Sequence, residues 1–227
     1  MQDDQNGAGQ SAAERLAWEI REAIYEGNLV PGSPLREVSL ADTKGVSRRT
    51  VREALLLLAS QGLVVHARNR GATVRALGAD DVIDMYRVRR TFELQGARNA
   101  PLASDEDRAR LQAAYERLHD AVHGEDSREI VNADLSFHGA VVGLVGSARL
   151  DGFYAQMSPE MEMVLAVIRR GERIDGLTPE QIIADHRTIH AALMARDVIE
   201  AQRAILEHID FNERYLLGLL ESKRLLD

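Results

Sequence analysis

The chain has 227 residues, 45% hydrophobic and 28% charged, with a net charge of −8, a composition ordinary for a folded protein and unlike a mainly disordered one. At roughly 100–200 residues per domain, this length holds one large domain or two modest ones, each able to bury a core. There is no cysteine, which excludes disulfide frameworks, thiolate metal sites and cysteine nucleophiles. No apolar run approaches the roughly 18 residues a membrane span needs, and the polar, acidic start MQDDQNGAGQSAAE is unlike a signal peptide, so the chain reads as cytoplasmic with no membrane partner. The charge is unevenly spread. Lys and Arg exceed Asp and Glu by three between Ser11 and Leu77 and by five between Arg36 and Arg75, whereas Gly78 to Asp227 carries an excess of nine acids. A basic module joined to an acidic partner is the footprint of polyanion binding, and it divides the chain into domains at 11–77 and 78–227.

In the first domain, Leu16, Ala17, Ile20, Ala23, Ile24 and Tyr25 fall at helical spacing over residues 13–26, and Gly27 with Pro31-Gly32 ends that helix. A short helix over 36–43 would turn Val38, Leu40 and Ala41 inward. Gly45 then supplies a turn, and Ser47 caps a longer helix running to about Ser60. Two helices joined by a tight Gly-containing turn make a helix-turn-helix. The second carries Arg48, Arg49, Thr50 and Arg52 on its first turn and a half, while Val51, Leu55 and Leu58 face the core. That is where a recognition helix touches base edges and phosphates. Residues 63–66 and 73–76 read as strands around an Arg68-Asn69-Arg70-Gly71 tip, a wing whose Arg68, Arg70 and Gly71 either reach the minor groove or backbone or simply close a hairpin.

The run PGSPLREVSLADTKGVSRRTVREALLLLASQGLV followed by RGATV resembles the winged-helix domain of the GntR family of bacterial transcription regulators, over about residues 13–76. The resemblance implies operator contacts from the Arg after the cap Ser47, the Thr two further on and the Arg of the VREAL segment, which here are Arg48, Thr50 and Arg52. Arg49 stands where relatives often carry Thr. Some members contact DNA through an Arg early in the preceding helix, where this chain has Val38.

Beyond Gly78 helical periodicity dominates. Six helices are expected at approximately 79–100, 105–123, 126–145, 149–170, 179–195 and 198–222, with start signals at Ser104/Asp107, Thr178-Pro179/Gln181 and Asp197/Glu200. Short connections favour an antiparallel bundle, and Pro159 should kink or divide the fourth helix. The fold class is therefore mainly α: an N-terminal winged helix-turn-helix plus a C-terminal antiparallel all-α helical bundle. In the third of these helices Asp134 and His138 lie one turn apart at the edge of an apolar stripe formed by Val131, Leu135, Val142 and Val145. His186 sits among Ile182, Ile183, Ile189 and Leu193, and His208 falls in line with Ala201, Ile205 and Ile209. Three histidines and a carboxylate from three helices favour a divalent metal site in a bundle core. Zinc heads the candidates, with nickel, iron or manganese also suited to imidazole and carboxylate. His190 lies one turn beyond His186 and could serve in its place.

The segments NADLSFHGAVVGLVG, IIADHRTIHAALMARD and AQRAILEHI resemble the metal-bearing helices of the FadR subfamily's C-terminal ligand-binding (FCD-type) domain, over about residues 79–220. The resemblance implies Asp134, His138, His186 and His208 as ligands of one metal, and leaves His119, His123 and His190 to surface or packing. MYRVRRTFELQGARNA resembles the family's opening helix, which implies that Arg89 points into the effector cavity, unless it is spent on an ion pair with Glu93 one turn on. Family effectors are small carboxylates or related anions. Many relatives carry Ser-Gly-Asn where this chain has Val145-Gly146-Ser147-Ala148.

The sequence thus points to a homodimeric regulator that binds operator DNA, its affinity set by a small anionic metabolite held near a metal, and not to an enzyme. Two other readings of the same cluster stand beside it. One is a purely structural metal with no effector; the other is a metal-dependent hydrolase, against which no separate general base or nucleophile stands out.

Overall fold

The computed structural model describes residues 10–67, 71–124 and 126–222, the side chain of residue 67 excepted. The chain divides between Leu77 and Gly78 into two compact units.

The first unit contains α1 (Ala12–Tyr25), β1 (Pro34–Leu35), α2 (Glu37–Lys44), α3 (Arg48–Ser60), β2 (Val64–Ala67) and β3 (Gly71–Val74). A capping box opens α1: Ser11 Oγ accepts from the Glu14 N–H at 3.2 Å while Glu14 Oε2 accepts from the Ser11 N–H at 2.7 Å. Leu16, Ala17, Ile20 and Ile24 on α1 pack with Val51, Ala54, Leu55 and Leu58 on α3, so the apolar stripes of the two helices close the core. Gly45 caps α2 at φ 64°, a left-handed conformation that lets α2 and α3 meet through a turn of three residues. The strands form an antiparallel sheet in the order β1-β3-β2, with Thr73 paired to Pro34 on one side and Val65 on the other.

Two details differ from the sequence expectation. The second strand of the wing begins at Gly71, not residue 73, because Gly71 adopts φ 75° at the turn and starts the ladder opposite Ala67. Val38 faces solvent at 52% exposure. The two-residue strand β1, too short for an alternating pattern to announce, places Leu35 in the core at 3% exposure.

The second unit is all-helical among the described residues: α4 (Ala79–Asn99), a 3-10 turn (Ala100–Leu102), α5 (Asp105–Val122), α6 (Ser127–Gly143), α7 (Ala148–Asp175), α8 (Pro179–Met194) and α9 (Val198–Ser222). The expected caps form: Ser104 with Asp107, Thr178 with Gln181, and Asp197 Oδ1 accepting from the Glu200 N–H at 3.0 Å. Helix α7 is continuous through Pro159, so the proline does not divide it, one of the two outcomes expected there. An interior proline costs roughly 3 kcal/mol. The turns that follow it bury Met161, Met163, Val164, Leu165 and Ile168, each contributing roughly 1.5–3 kcal/mol, so burial outweighs local preference.

Helix α4 packs against both α6 and α9. Its approach to α6 is unusually close at Gly96, where a Cβ would stand 2.1 Å from the Val141 carbonyl oxygen. Backbone cannot yield as a side-chain tip can, so only glycine fits. Gly96→Ala is expected to destabilise the second unit by about 1–3 kcal/mol or more, measured by chemical denaturation. An unchanged midpoint would contradict the close approach.

Candidate functional site

At the head of α3, Ser47 Oγ accepts from the Thr50 N–H at 3.0 Å and lies 2.8 Å from Thr50 Oγ1, fixing the first turn. Arg48, Arg49 and Arg52 are exposed on that turn while Val51 is fully buried. Arg49 Nε donates to Glu53 at 2.9 Å. Arg52 is gripped side-on by Glu37 of α2: its Nε donates to Oε1 at 3.1 Å and a terminal nitrogen to Oε2 at 2.8 Å. This leaves the end of the guanidinium fork facing away from the pair. Gly71 opens β3 at φ 75°, and its contribution there is conformational. Arg68 and Arg70 lie outside the described residues.

The interior of the second unit holds a polar cluster. Helix α4 supplies Arg89 and Glu93, α6 supplies Asp134 and His138, α8 supplies His186 and α9 supplies His208. The three histidines are buried, and one ligand atom from each lies within 4.8 Å of the others. Bonds of about 2.0–2.1 Å to one ion set its ligand atoms about 3–4 Å apart, so shifts within about an ångström would bring them onto it. Asp134 joins the group, with Oδ1 2.9 Å from His186 Nε2 and Oδ2 3.8 Å from His138 Nε2. The first contact is off the angle of a hydrogen bond: His186 Nε2, His138 Nε2 and Asp134 Oδ2 are all buried without a hydrogen-bond partner.

The outer nitrogens are occupied, which orients the inner ones. His138 Nδ1 lies 2.7 Å from Glu93 Oε2, and a carboxylate can only accept, so Nδ1 carries the proton and Nε2 presents its lone pair. His186 Nδ1 likewise donates to the Ile182 carbonyl at 3.2 Å. His208 Nδ1 faces Asp185 Oδ2 at 3.5 Å, and its Nε2 receives the Asn212 amide at 3.1 Å. The buried Phe137 ring meets His138 and His186 edge-on at 5.4 and 5.3 Å, forming an apolar wall.

Arg89 is 1% exposed and donates through Nε to Glu93 Oε1 at 2.8 Å. The ion pair with Glu93 takes only Nε, and both terminal nitrogens remain buried without hydrogen-bond partners. His190 stands apart, bonded to Gln112 at 2.9 Å and stacked on Tyr115, which resolves the choice between His190 and His186 in geometry. His119 and His123 are exposed. Sequence reasoning did not single out Glu93 as a partner of His138, nor Asn212, Tyr86 or Tyr154. Glu93 was within reach, four residues from Arg89, but its second partner is 45 residues away.

The FCD domain family matches residues 84–211, over half of the chain, and the family of bacterial regulatory proteins named gntR matches residues 12–74. The chain belongs to the GntR family and carries an FCD domain. It is a DNA-binding transcription regulator. It is 30% identical over 200 residues to an HTH-type transcriptional regulator, BphR, of Paraburkholderia xenovorans, covering 84% of this chain and 79% of that one. It is also 26% identical to the gluconate operon transcriptional repressor of Bacillus subtilis, covering 82% and 77% of the two chains. The crystal structure of a GntR transcriptional regulator from Rhodococcus sp. RHA1 superposes with a TM-score of 0.75 at 29% identity, covering 92% of this chain and 99% of that one. Among the described residues, no helix of this regulator is long and apolar enough to cross a membrane.

Charge inside this FCD domain is held by mutual compensation. Burial opposes ionisation of Glu93, but Arg89 and His138 reverse that and hold its carboxyl at about 2, below the ordinary 4.5. Burial likewise opposes Asp134, and His138, His186 and Arg89 pull it well below the usual carboxylate range. His208 goes the other way for a base: burial, only partly offset by Asp185, lowers it to about 4 and keeps the ring neutral. Against burial, Asp134 raises His186, so a metal, which is ligated by neutral imidazoles and an ionised carboxylate, would bind in competition with that proton. Because Glu93 binds its proton more weakly folded than unfolded, its stabilisation is complete above pH 4.5 and fades as pH falls toward 2. Asp134 acts in the same direction. Thermal midpoints of the metal-free chain should fall over that interval, and less so in Glu93→Gln, which starts destabilised. Equal acid sensitivity in both proteins would contradict the Glu93 account.

Proposed function

We propose that this regulator acts in the cytoplasm as a homodimer whose residues 11–77 bind operator DNA and whose residues 78–227 sense a small carboxylate beside a divalent metal. The observation that carries the sensing half is the set of buried atoms without partners: Asp134 Oδ2, His138 Nε2, His186 Nε2 and both terminal nitrogens of Arg89. Each such orphan costs roughly 1–3 kcal/mol, and one cation and one anion would satisfy them together. Asp134, His138, His186 and His208 hold the metal, a set suited to zinc and also to nickel, iron or manganese. The metal would supply Lewis acidity toward an effector oxygen, and Arg89 a two-pronged grip on its carboxylate. His208 would join them once free of the Asn212 amide that its Nε2 now receives. A relative that represses a gluconate operon is in keeping with a carboxylate effector.

On the DNA side, Glu37 fixes the Arg52 guanidinium from one side, so its free end can meet guanine O6 and N7. Ser47, Arg48, Arg49 and Thr50 lie on the same turn to meet phosphate or base edges, and Arg68, Arg70 and Gly71 of the wing complete the contact. A single recognition helix reads only a few base pairs, so two symmetry-related copies are required for useful specificity. The effector acts by binding the DNA-competent and incompetent arrangements with different affinity.

Two measurements test this. Purified protein should carry close to one metal per chain, and His186→Ala should lose it; near-zero occupancy in both would remove the site. If chelation lowered the thermal midpoint while no small carboxylate changed operator affinity, the metal would be structural and the sensing claim would fall. Arg52→Ala should weaken binding to a selected operator by about 1–3 kcal/mol at matched salt; undiminished binding would overturn the recognition-helix assignment.

A further inference from the structure

A second group of metal-ligating side chains lies outside the polar interior, where the end of α5 meets the start of α8. His119 and His123 stand one turn apart on α5, 51% and 43% exposed in their side chains, with ring centroids 4.8 Å apart. Residues four apart share a helix face, so both imidazoles rise on the same side. Glu180, in the first turn of α8, reaches across to them: its Oε1 lies 3.7 Å from His123 Nε2. Helices α5 and α8 pack along each other. Nearer the start of α5, the stacking of His190 on Tyr115 and the bond between His190 and Gln112 hold the two helices in register.

The hydrogen bonding at His123 decides what the contact with Glu180 is. His123 Nδ1 lies 2.7 Å from the His119 carbonyl oxygen. A carbonyl can only accept, so Nδ1 carries the proton, and the neutral ring turns its Nε2 lone pair toward the Glu180 carboxylate. Two acceptors then face each other at 3.7 Å. A cation relieves that opposition, either as a second proton on the ring or as a metal ion. Bonds of about 2.0–2.2 Å to one ion hold its ligand atoms about 3–4 Å apart, an interval that contains the observed spacing. A proton can serve only this one pair, whereas a metal also engages His119 one turn back, a half-exposed side chain able to change rotamer. His119 Nδ1 faces Asp120 Oδ1 at 3.5 Å, which leaves Nε2 to ligate. The position itself favours positive charge, because His123 caps the C-terminus of α5, the negative end of that helix. Imidazoles with a carboxylate suit transition ions, while magnesium and calcium take oxygen ligands.

We propose that His119, His123 and Glu180 form a surface site for a divalent transition-metal ion that staples the end of α5 to the first turn of α8. Water fills the remaining positions, so the ion is exchangeable, unlike one held in a closed four-ligand set. Because α8 also carries His186, the ion steadies the helix from which the inner cluster takes a histidine. The site is independent of whether that inner cluster binds a metal. The test is calorimetric titration of zinc into the untagged, metal-free full chain at about pH 7.5, where an ordinary imidazole is largely neutral. Parent, His119→Ala, His123→Ala, their double variant, Glu180→Gln and Asp134→Asn are compared. The parent should show a binding event of micromolar affinity that either histidine variant abolishes and that Glu180→Gln weakens roughly tenfold or more. Asp134→Asn should keep that event whatever it does to a tighter one. The three outer residues are exposed, so the metal-free thermal midpoint of their variants should match the parent. Absence of the event in both parent and Asp134→Asn, or its persistence in the double histidine variant, would overturn the site. An event lost with the histidines yet indifferent to Glu180→Gln would confine the chelate to α5 and overturn the staple.

Discussion

Arg89 is a full charge only 1% exposed to solvent, and the interior of the FCD domain is arranged around compensating it. Glu93 does so from one turn along the same helix, and its second oxygen accepts a hydrogen bond from His138 Nδ1 on α6. One carboxylate therefore fixes the direction of the guanidinium and the tautomer of an imidazole. Removing a partner from such a pair costs roughly 3–5 kcal/mol because a charge is left uncompensated. Gly96 sits one turn beyond Glu93, and Val141 one turn beyond His138, so the tightest backbone approach of α4 and α6 lies beside the hydrogen bond it permits. The distance between two helices and the protonation of a histidine are in this way one constraint.

From that chain the remaining features follow. His138 turns its lone pair inward, His186 does the same through the Ile182 carbonyl, and Asp134 faces both. Phe137 walls the group off, which strengthens each interaction by lowering the local dielectric. Arg89, with its Nε occupied, can offer only its two terminal nitrogens. The cluster is thus a set of donors and lone pairs aimed at one interior, with the counter-groups supplied from behind.

The winged helix uses the same device at the surface. Glu37 grips Arg52 through Nε and a terminal nitrogen, where Glu93 holds Arg89 through Nε alone, and Arg52 is 59% exposed in its side chain and Glu37 28%. Water screens such a pair, which contributes roughly 0–1 kcal/mol to stability. Its consequence is orientation of a side chain that would otherwise sample many rotamers. The net charge of −8 belongs to the chain as a whole and says little about this face, where the basic residues concentrate.

Much of the molecule was written in local pattern. Caps at Ser11, Ser47, Ser104 and Thr178 and the glycine at 45 mark helix ends because hydrogen bonds over three residues decide them. The spacing of Asp134 and His138, and of Arg89 and Glu93, was legible for the same reason: a helix stacks residues four apart. Pro159 does not divide α7 because its cost is local while the burial that offsets it is not. Val38 misled because the short helix α2 buries only Ala41 and turns Val38 to solvent. What the sequence determined by itself was the order of elements, the basic and acidic division and the ligand types available. Only the tertiary structure decided that His186 rather than His190 joins His138 and His208, and that Glu93 serves two partners. Those facts depend on which helix faces which across tens of residues of chain, and no periodicity along one helix encodes them.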